Sequence, residues 1–175
     1  MRKLALCVAF VAASLTAAPA SAATNAYLQF QSNGAQVEGT VTDAGFEDMI
    51  HVFDVHFEIS AAQGATIGAA RSTRAEYKPI YVTLPVDRST PLITQALAQN
   101  HVISNFKIQL TQPQQGGGEV VYYTIELDNG RVSSMVFDSV APGDDRVRVG
   151  FSYYTMTQTD EQSGATMIVS SVSRQ

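Results

Sequence analysis

The chain has 175 residues, of which 45% are hydrophobic, and a formal net charge of −5 at pH 7. That length is enough for one domain and hardly two, and such a domain buries a core without disulfide or metal staples. Acidic residues outnumber basic ones and the arginines are scattered, which argues against nucleic-acid binding.

The first 22 residues read as a secretory signal peptide. Arg2 and Lys3 precede an apolar run from Leu4 to Leu15, and Ala20-Ser21-Ala22 forms a small-residue cleavage site. The run is too short to span a bilayer comfortably. Residues 23–175 are then one exported domain, periplasmic or extracellular, with no membrane association after cleavage. Cys7 leaves with the leader, so the remainder has no disulfide, thiolate nucleophile or cysteine metal site.

Tyr27 to Phe30 reads as a short strand with Leu28 and Phe30 on one face. Asn33-Gly34 is a turn signal. Val37 to Val41 is a second extended piece with Gly39 as a bend, and Asp43-Ala44-Gly45 is a loop. Met49 to Ile59 reads as one long strand: Met49, His51, Phe53, Val55, Phe57 and Ile59 share a face, with Asp54, His56 and Glu58 opposite. Ser60 to Arg74 is rich in small residues, with only Ile67 to anchor it. It reads as an extended, mobile loop of about 15 residues, long enough to suggest a function.

Next come a strand, a short helix and a strand. Ile80, Val82, Leu84 and Val86 alternate with Tyr81, Thr83 and Pro85, the period of a strand with one buried face. Thr90 before Pro91 predicts a helix start, with Pro91 at the first helical position. The helix spans about 91–99, with Leu92, Ile93, Ala96 and Leu97 on one face, and Asn100 supplies a left-handed cap. From Val102 the period returns to two, placing Phe106, Ile108 and Leu110 opposite Asn105, Lys107 and Gln109. A helix this short requires a sheet to lie on.

Gln114 to Gly118 is a hairpin tip, and Val121, Tyr123, Ile125 and Leu127 alternate after it. Asp128-Asn129-Gly130 reads either as a two-residue hairpin turn or as a bulge in one long strand continuing to Val140. Ala141 to Asp145 is a turn. Val147, Val149, Phe151 and Tyr153 mark a strand, Glu161 to Gly164 a turn, and Met167 to Val172 a last strand. Eight or nine strands and one helix predict a mainly β domain closed into a barrel or tight sandwich.

No motif points to catalysis. Asp54, His56 and Glu58 project from one strand face, a pattern met more often on a solvated sheet than at a metal. His51 reads as an interior or rim histidine, and His101 as a residue at the helix exit. No G-x-S-x-G pattern is present, Gly116 to Gly118 precede no helix, and Asp144-Asp145 lack calcium-loop spacing. No cofactor or metal is expected. Two polar strand faces, Asn105, Lys107, Gln109 and Thr111, and Tyr122, Thr124 and Glu126, are candidates for lining a lumen or facing solvent.

Several stretches together resemble the haemolysin-coregulated protein (Hcp) family, the tube subunits of type VI secretion. Tyr27-Leu28-Gln29-Phe30 with Val37-Glu38-Gly39 is similar to the family's opening strand and turn. Ile50-His51-Val52-Phe53 is similar to its second strand. Val86-Asp87-Arg88-Ser89-Thr90-Pro91-Leu92, with Ala96 and Asn100-His101, is similar to the segment forming its single helix. Tyr123-Thr124-Ile125-Glu126-Leu127 through Val132-Ser133-Ser134, and Val149-Gly150-Phe151, follow in order.

The resemblance implies an Hcp-like closed β-barrel of about 8–9 strands with one flanking helix. It implies a homo-hexameric ring and rings stacked into a tube that carries small effectors, alongside other type VI secretion components. The loop after the second strand would reach the neighbouring ring, which makes Gln63, Gly64, Ile67 and Arg71 candidate stacking residues. In the same register Asn129-Gly130 lies inside a long bent strand. The leader, Leu84, Gly130 and Val55-His56-Phe57 depart from the family pattern. The alternative is a periplasmic or secreted binding module that kept the fold and builds no tube.

Overall fold

The computed structural model describes residues 24–61, 75–114, 116–139 and 145–170. The expected loop residues Gln63, Gly64, Ile67 and Arg71 lie outside them, as do the leader and most of the turn at Ala141 to Asp145.

Among the described residues the chain forms thirteen strands and one helix. The strands are β1 (Ala26–Ser32), β2 (Ala35–Gln36), β3 (Ile50–His51), β4 (Asp54–His56), β5 (Ile59–Ala61), β6 (Ala75–Tyr77) and β7 (Ile80–Pro85). After helix α1 (Ser89–Ala98) come β8 (Ile103–Pro113), β9 (Glu119–Asp128), β10 (Arg131–Ser139), β11 (Asp145–Ser152), β12 (Thr155–Asp160) and β13 (Thr166–Ser170). The larger sheet runs β13-β12-β9-β8-β1-β2, with β3 also on β1. The smaller runs β10-β11-β7-β4, and β5 with β6 forms a separate ribbon at the base of the 62–74 segment. All pairings are antiparallel.

One core joins the two larger sheets. Leu28, Phe30, Phe106, Ile108, Ile125 and Met156 come from one, and Ile80, Val82, Leu84, Val147, Val149 and Phe151 from the other. Phe151 reaches across to Phe106 and Phe30, with ring centroids 4.9 and 5.6 Å away. Each such fully buried side chain contributes roughly 2–3 kcal/mol of apolar burial. The ladders form open sheets and do not by themselves draw the closed barrel expected from the sequence.

Met49 to Ile59 is not one strand. Val52 N–H donates to Ala26 O in the larger sheet, and the next residue, Phe53, donates to Thr83 O in the smaller. The chain changes sheets there, and the inward parity reverses: Ile50 and Val52 are buried, whereas Phe53 is 48% exposed. A period of two holds only while the strand stays in one sheet.

The helix begins earlier than 91. Asp87 Oδ1 accepts from Ser89 N–H at 2.8 Å and Ser89 O–H at 2.6 Å, while Thr90 Oγ1 accepts from Asp87 N–H at 3.1 Å. Asp87 therefore supplies the side-chain acceptor expected from Thr90, and Pro91 sits within the first turn, where its missing N–H is harmless. The C-terminal end matches the sequence reading. Asn100 has φ of 53°, Asn100 N–H reaches Leu97 O, and His101 N–H reaches Ala96 O. Ile93 and Ala96 are buried and Leu97 packs against the core, but Leu92 is exposed, as is Val86, which lies just beyond the end of β7.

Asp128-Asn129-Gly130 is the bend and not the hairpin. β9 belongs to the larger sheet and β10 to the smaller, so the two do not pair. Asn129, at φ of 51°, turns the chain between them, and Gly130 bridges to Ile103. The tip at 114–118 is a hairpin as read, closed by Gln114 N–H to Gly118 O.

Candidate functional site

The larger sheet has one face on the core and one facing outward. On the outward face Gln29 lies opposite Lys107, Lys107 opposite Glu126, and Glu126 opposite Thr157, a row crossing β1, β8, β9 and β12. Beside this row lies a groove of about 500 Å³, walled also by Gln31, Gln36, Asn105 and Asp128. Phe106 and Leu127, both buried, also border it. Lys107 Nζ and Glu126 Oε1 pair at 2.9 Å, cancelling each other's charge. Asn105 has φ of 50°, an uncommon conformation within a strand that asparagine tolerates.

The other end of that face is covered by residues 37–49. Tyr27 stacks on Phe46, Val41 closes the small core, and Met49 and Val121 pack at its rim. The Tyr27 hydroxyl lies 2.9 Å from Asp43 Oδ2 and 3.0 Å from Glu119 Oε2. Glu119 also accepts from Thr111 Oγ1 at 2.6 Å and from Asn25 Nδ2. Burial pushes the Tyr27 phenol well above its ordinary range, helped by the hydrogen bonds to both carboxylates. Burial alone would raise the Glu119 carboxyl, but the bonds from Thr111, Asn25 and Tyr27 outweigh it and hold the group below its ordinary value.

The structure does not gather the other candidates. Asp54 and His56 are exposed on β4, and Glu58 lies beyond that strand, 2.8 Å from Lys78 Nζ. His51 stands edge-on to Tyr27 and Phe53, a rim position. His101 bonds Ser32 and Gln99 at the helix exit. Of the two polar faces, Thr111 and Thr124 turn out buried, Thr111 beside a register shift and Thr124 bonded to Glu161. Among the described residues no group of three His, Cys, Asp or Glu could hold a metal ion, and no helix is long and apolar enough to cross a membrane. Sequence reasoning missed the Asn25–Tyr27–Asp43–Thr111–Glu119 cluster, whose members come from four separate segments and leave no local signal. Gln29 and Gln31, glutamines on an otherwise apolar strand, were the legible trace of the groove.

Comparison with known proteins places this geometry. A family profile described as "Type VI secretion system effector, Hcp" matches residues 27–159. The "Major exported protein" of Pseudomonas aeruginosa is 25% identical over 133 residues, which is 72% of this chain and 77% of that protein. A mutant form of the Hcp1 protein from E. coli EAEC 042 pathovar superposes with a TM-score of 0.78 at 18% identity, over 86% of this chain and 100% of that one. The secreted protein Hcp3 from Pseudomonas aeruginosa gives 0.72 at 21% identity, over 86% and 100%. At those identities the two structures show a shared fold.

Proposed function

Because the chain belongs to the Hcp family of type VI secretion proteins, we propose that it is an exported, non-enzymatic structural subunit that assembles into homo-hexameric rings. In this reading the sheets close into the family's barrel, the rings stack through the loop that holds Gln63, Gly64, Ile67 and Arg71, and the lumen carries small effectors alongside other type VI secretion components. The carrying observation is the extent of the family match: residues 27–159 run from β1 to β12 and include the smaller sheet, the helix and every strand of the larger sheet except β13. Ring contacts are heterologous, so two different surfaces of each subunit must fit. Native mass spectrometry of the chain from residue 23 tests it. A hexamer is expected, and a strict monomer at high micromolar concentration refutes the ring.

The leader favours a second reading. Arg2-Lys3, the apolar run and Ala20-Ser21-Ala22 direct a chain out of the cytoplasm, whereas a contracting sheath loads its tube from within. A periplasmic or secreted binding module of the same fold fits such a leader. Mapping the N-terminus of the protein made in cells separates the two. Cleavage near Ala22 favours the module, and an intact Met1 favours the tube.

A further inference from the structure

We propose that the outward groove of the larger sheet is a binding site for a neutral, polyhydroxylated ligand, a short saccharide. Four amide side chains, Gln29, Gln31, Gln36 and Asn105, wall it. None of the four makes a side-chain hydrogen bond to another described residue, so their donors and acceptors are open to solvent or a ligand. Each amide offers two N–H donors and a carbonyl acceptor in one plane. Adjacent sugar hydroxyls also donate and accept, at matching separations. The backbone of β8 and β9 is paired on both sides within the sheet, so recognition there falls to side chains. That counts against a peptide, which docks on an open strand edge through its main chain.

The charges narrow the class. Lys107 is neutralised by Glu126, and Asp128 adds a carboxylate at the rim. A phosphate or carboxylate ligand would meet no free cation. An apolar ligand would meet a polar wall, because Phe106 and Leu127 expose almost nothing. The volume of about 500 Å³ falls within the range of small-ligand sites. Asn105 is the pivot of the wall: its left-handed backbone marks a strand irregularity, a device that re-aims side chains at binding sites.

Saturation-transfer NMR on the exported chain tests this, because it reads weak ligands on large assemblies. The probes are maltotriose, cellotriose and tri-N-acetylchitotriose, with triglycine as the peptide arm. At least one trisaccharide should receive saturation in a dose-dependent way. The variant Gln31→Ala with Asn105→Gly removes two amides, and glycine keeps the positive φ. It should weaken that signal at least about tenfold while leaving circular dichroism unchanged. No transfer to any trisaccharide at tens of millimolar, equal transfer with the variant, or equal transfer to triglycine would each overturn the saccharide site. Should the double variant misfold, Gln36→Ala on exposed β2 supplies the same comparison.

Discussion

The Tyr27 ring lies flat against Phe46, with 4.3 Å between centroids and 17° between planes. That contact ties residues 37–49 to the outside of the larger sheet, where the segment has few other apolar anchors. Phe46→Ala should therefore free the segment before it unfolds the domain. We expect a loss of about 2–3 kcal/mol in urea unfolding, with new protease cuts between Gly39 and Met49. Unchanged proteolysis there would show that backbone hydrogen bonds alone hold the segment.

The same cluster makes stability fall at both ends of the pH scale. Tyr27 keeps its proton in the folded state above the ordinary value of about 10. Its contribution is complete below that pH and is lost as pH rises, because the unfolded chain ionises first. Glu119 has the opposite sign. Its folded value is lowered from about 4.5, so its contribution is complete above that pH and is lost as pH falls below it. Urea midpoints measured across pH should drop at both extremes. Tyr27→Phe should shallow the alkaline limb and Glu119→Gln the acid limb, each relative to the parent.

Gly39 is packed against backbone. A Cβ there would collide with Met49 O and come within 2.6 Å of Ile50 Cα. Neither neighbour can rotate away, so Gly39→Ala should cost about 3 kcal/mol or more. Gly150→Ala makes the contrast. Its nearest neighbours are the hydroxyls of Ser134 and Ser133 and the edge of Tyr81, all side-chain atoms. It should cost about 1 kcal/mol. Thermal denaturation of both variants gives the ranking, and equal losses would contradict it.

The cap at Asp87 predicts a further ordering. Asp87→Ala strips an acceptor from Ser89 and should cost about 1–2 kcal/mol. Asp87→Asn keeps an oxygen in place and should cost less. Thr90→Val removes only the return bond to Asp87 N–H, so it should rank below Asp87→Ala. Guanidinium denaturation measures all three. A larger loss at Thr90 would restore it as the cap.

Much of the fold was legible in the residues. The alternation in Ile80 to Leu84 and Val147 to Phe151 placed buried strands correctly, since both stay within one sheet. Asn100 announced its left-handed cap because few residues accept that conformation. The stretch from Met49 to Ile59 misled because its alternation runs unbroken through a change of sheet. The capping residue was misplaced by three positions because aspartate, serine and threonine all cap helices, and only geometry chooses among them.

The sequence by itself determined the class of fold, the one helix among the described residues and its C-terminal end, and the family likeness. These depend on local conformational preference and on which side chains avoid water, and both are written residue by residue. Tertiary structure alone decided where the chain crosses between sheets, which polar groups are buried around Tyr27, and that four amides and one ion pair meet in a groove. Those outcomes depend on pairing register between distant strands, where a shift of one residue turns every side chain to the opposite face.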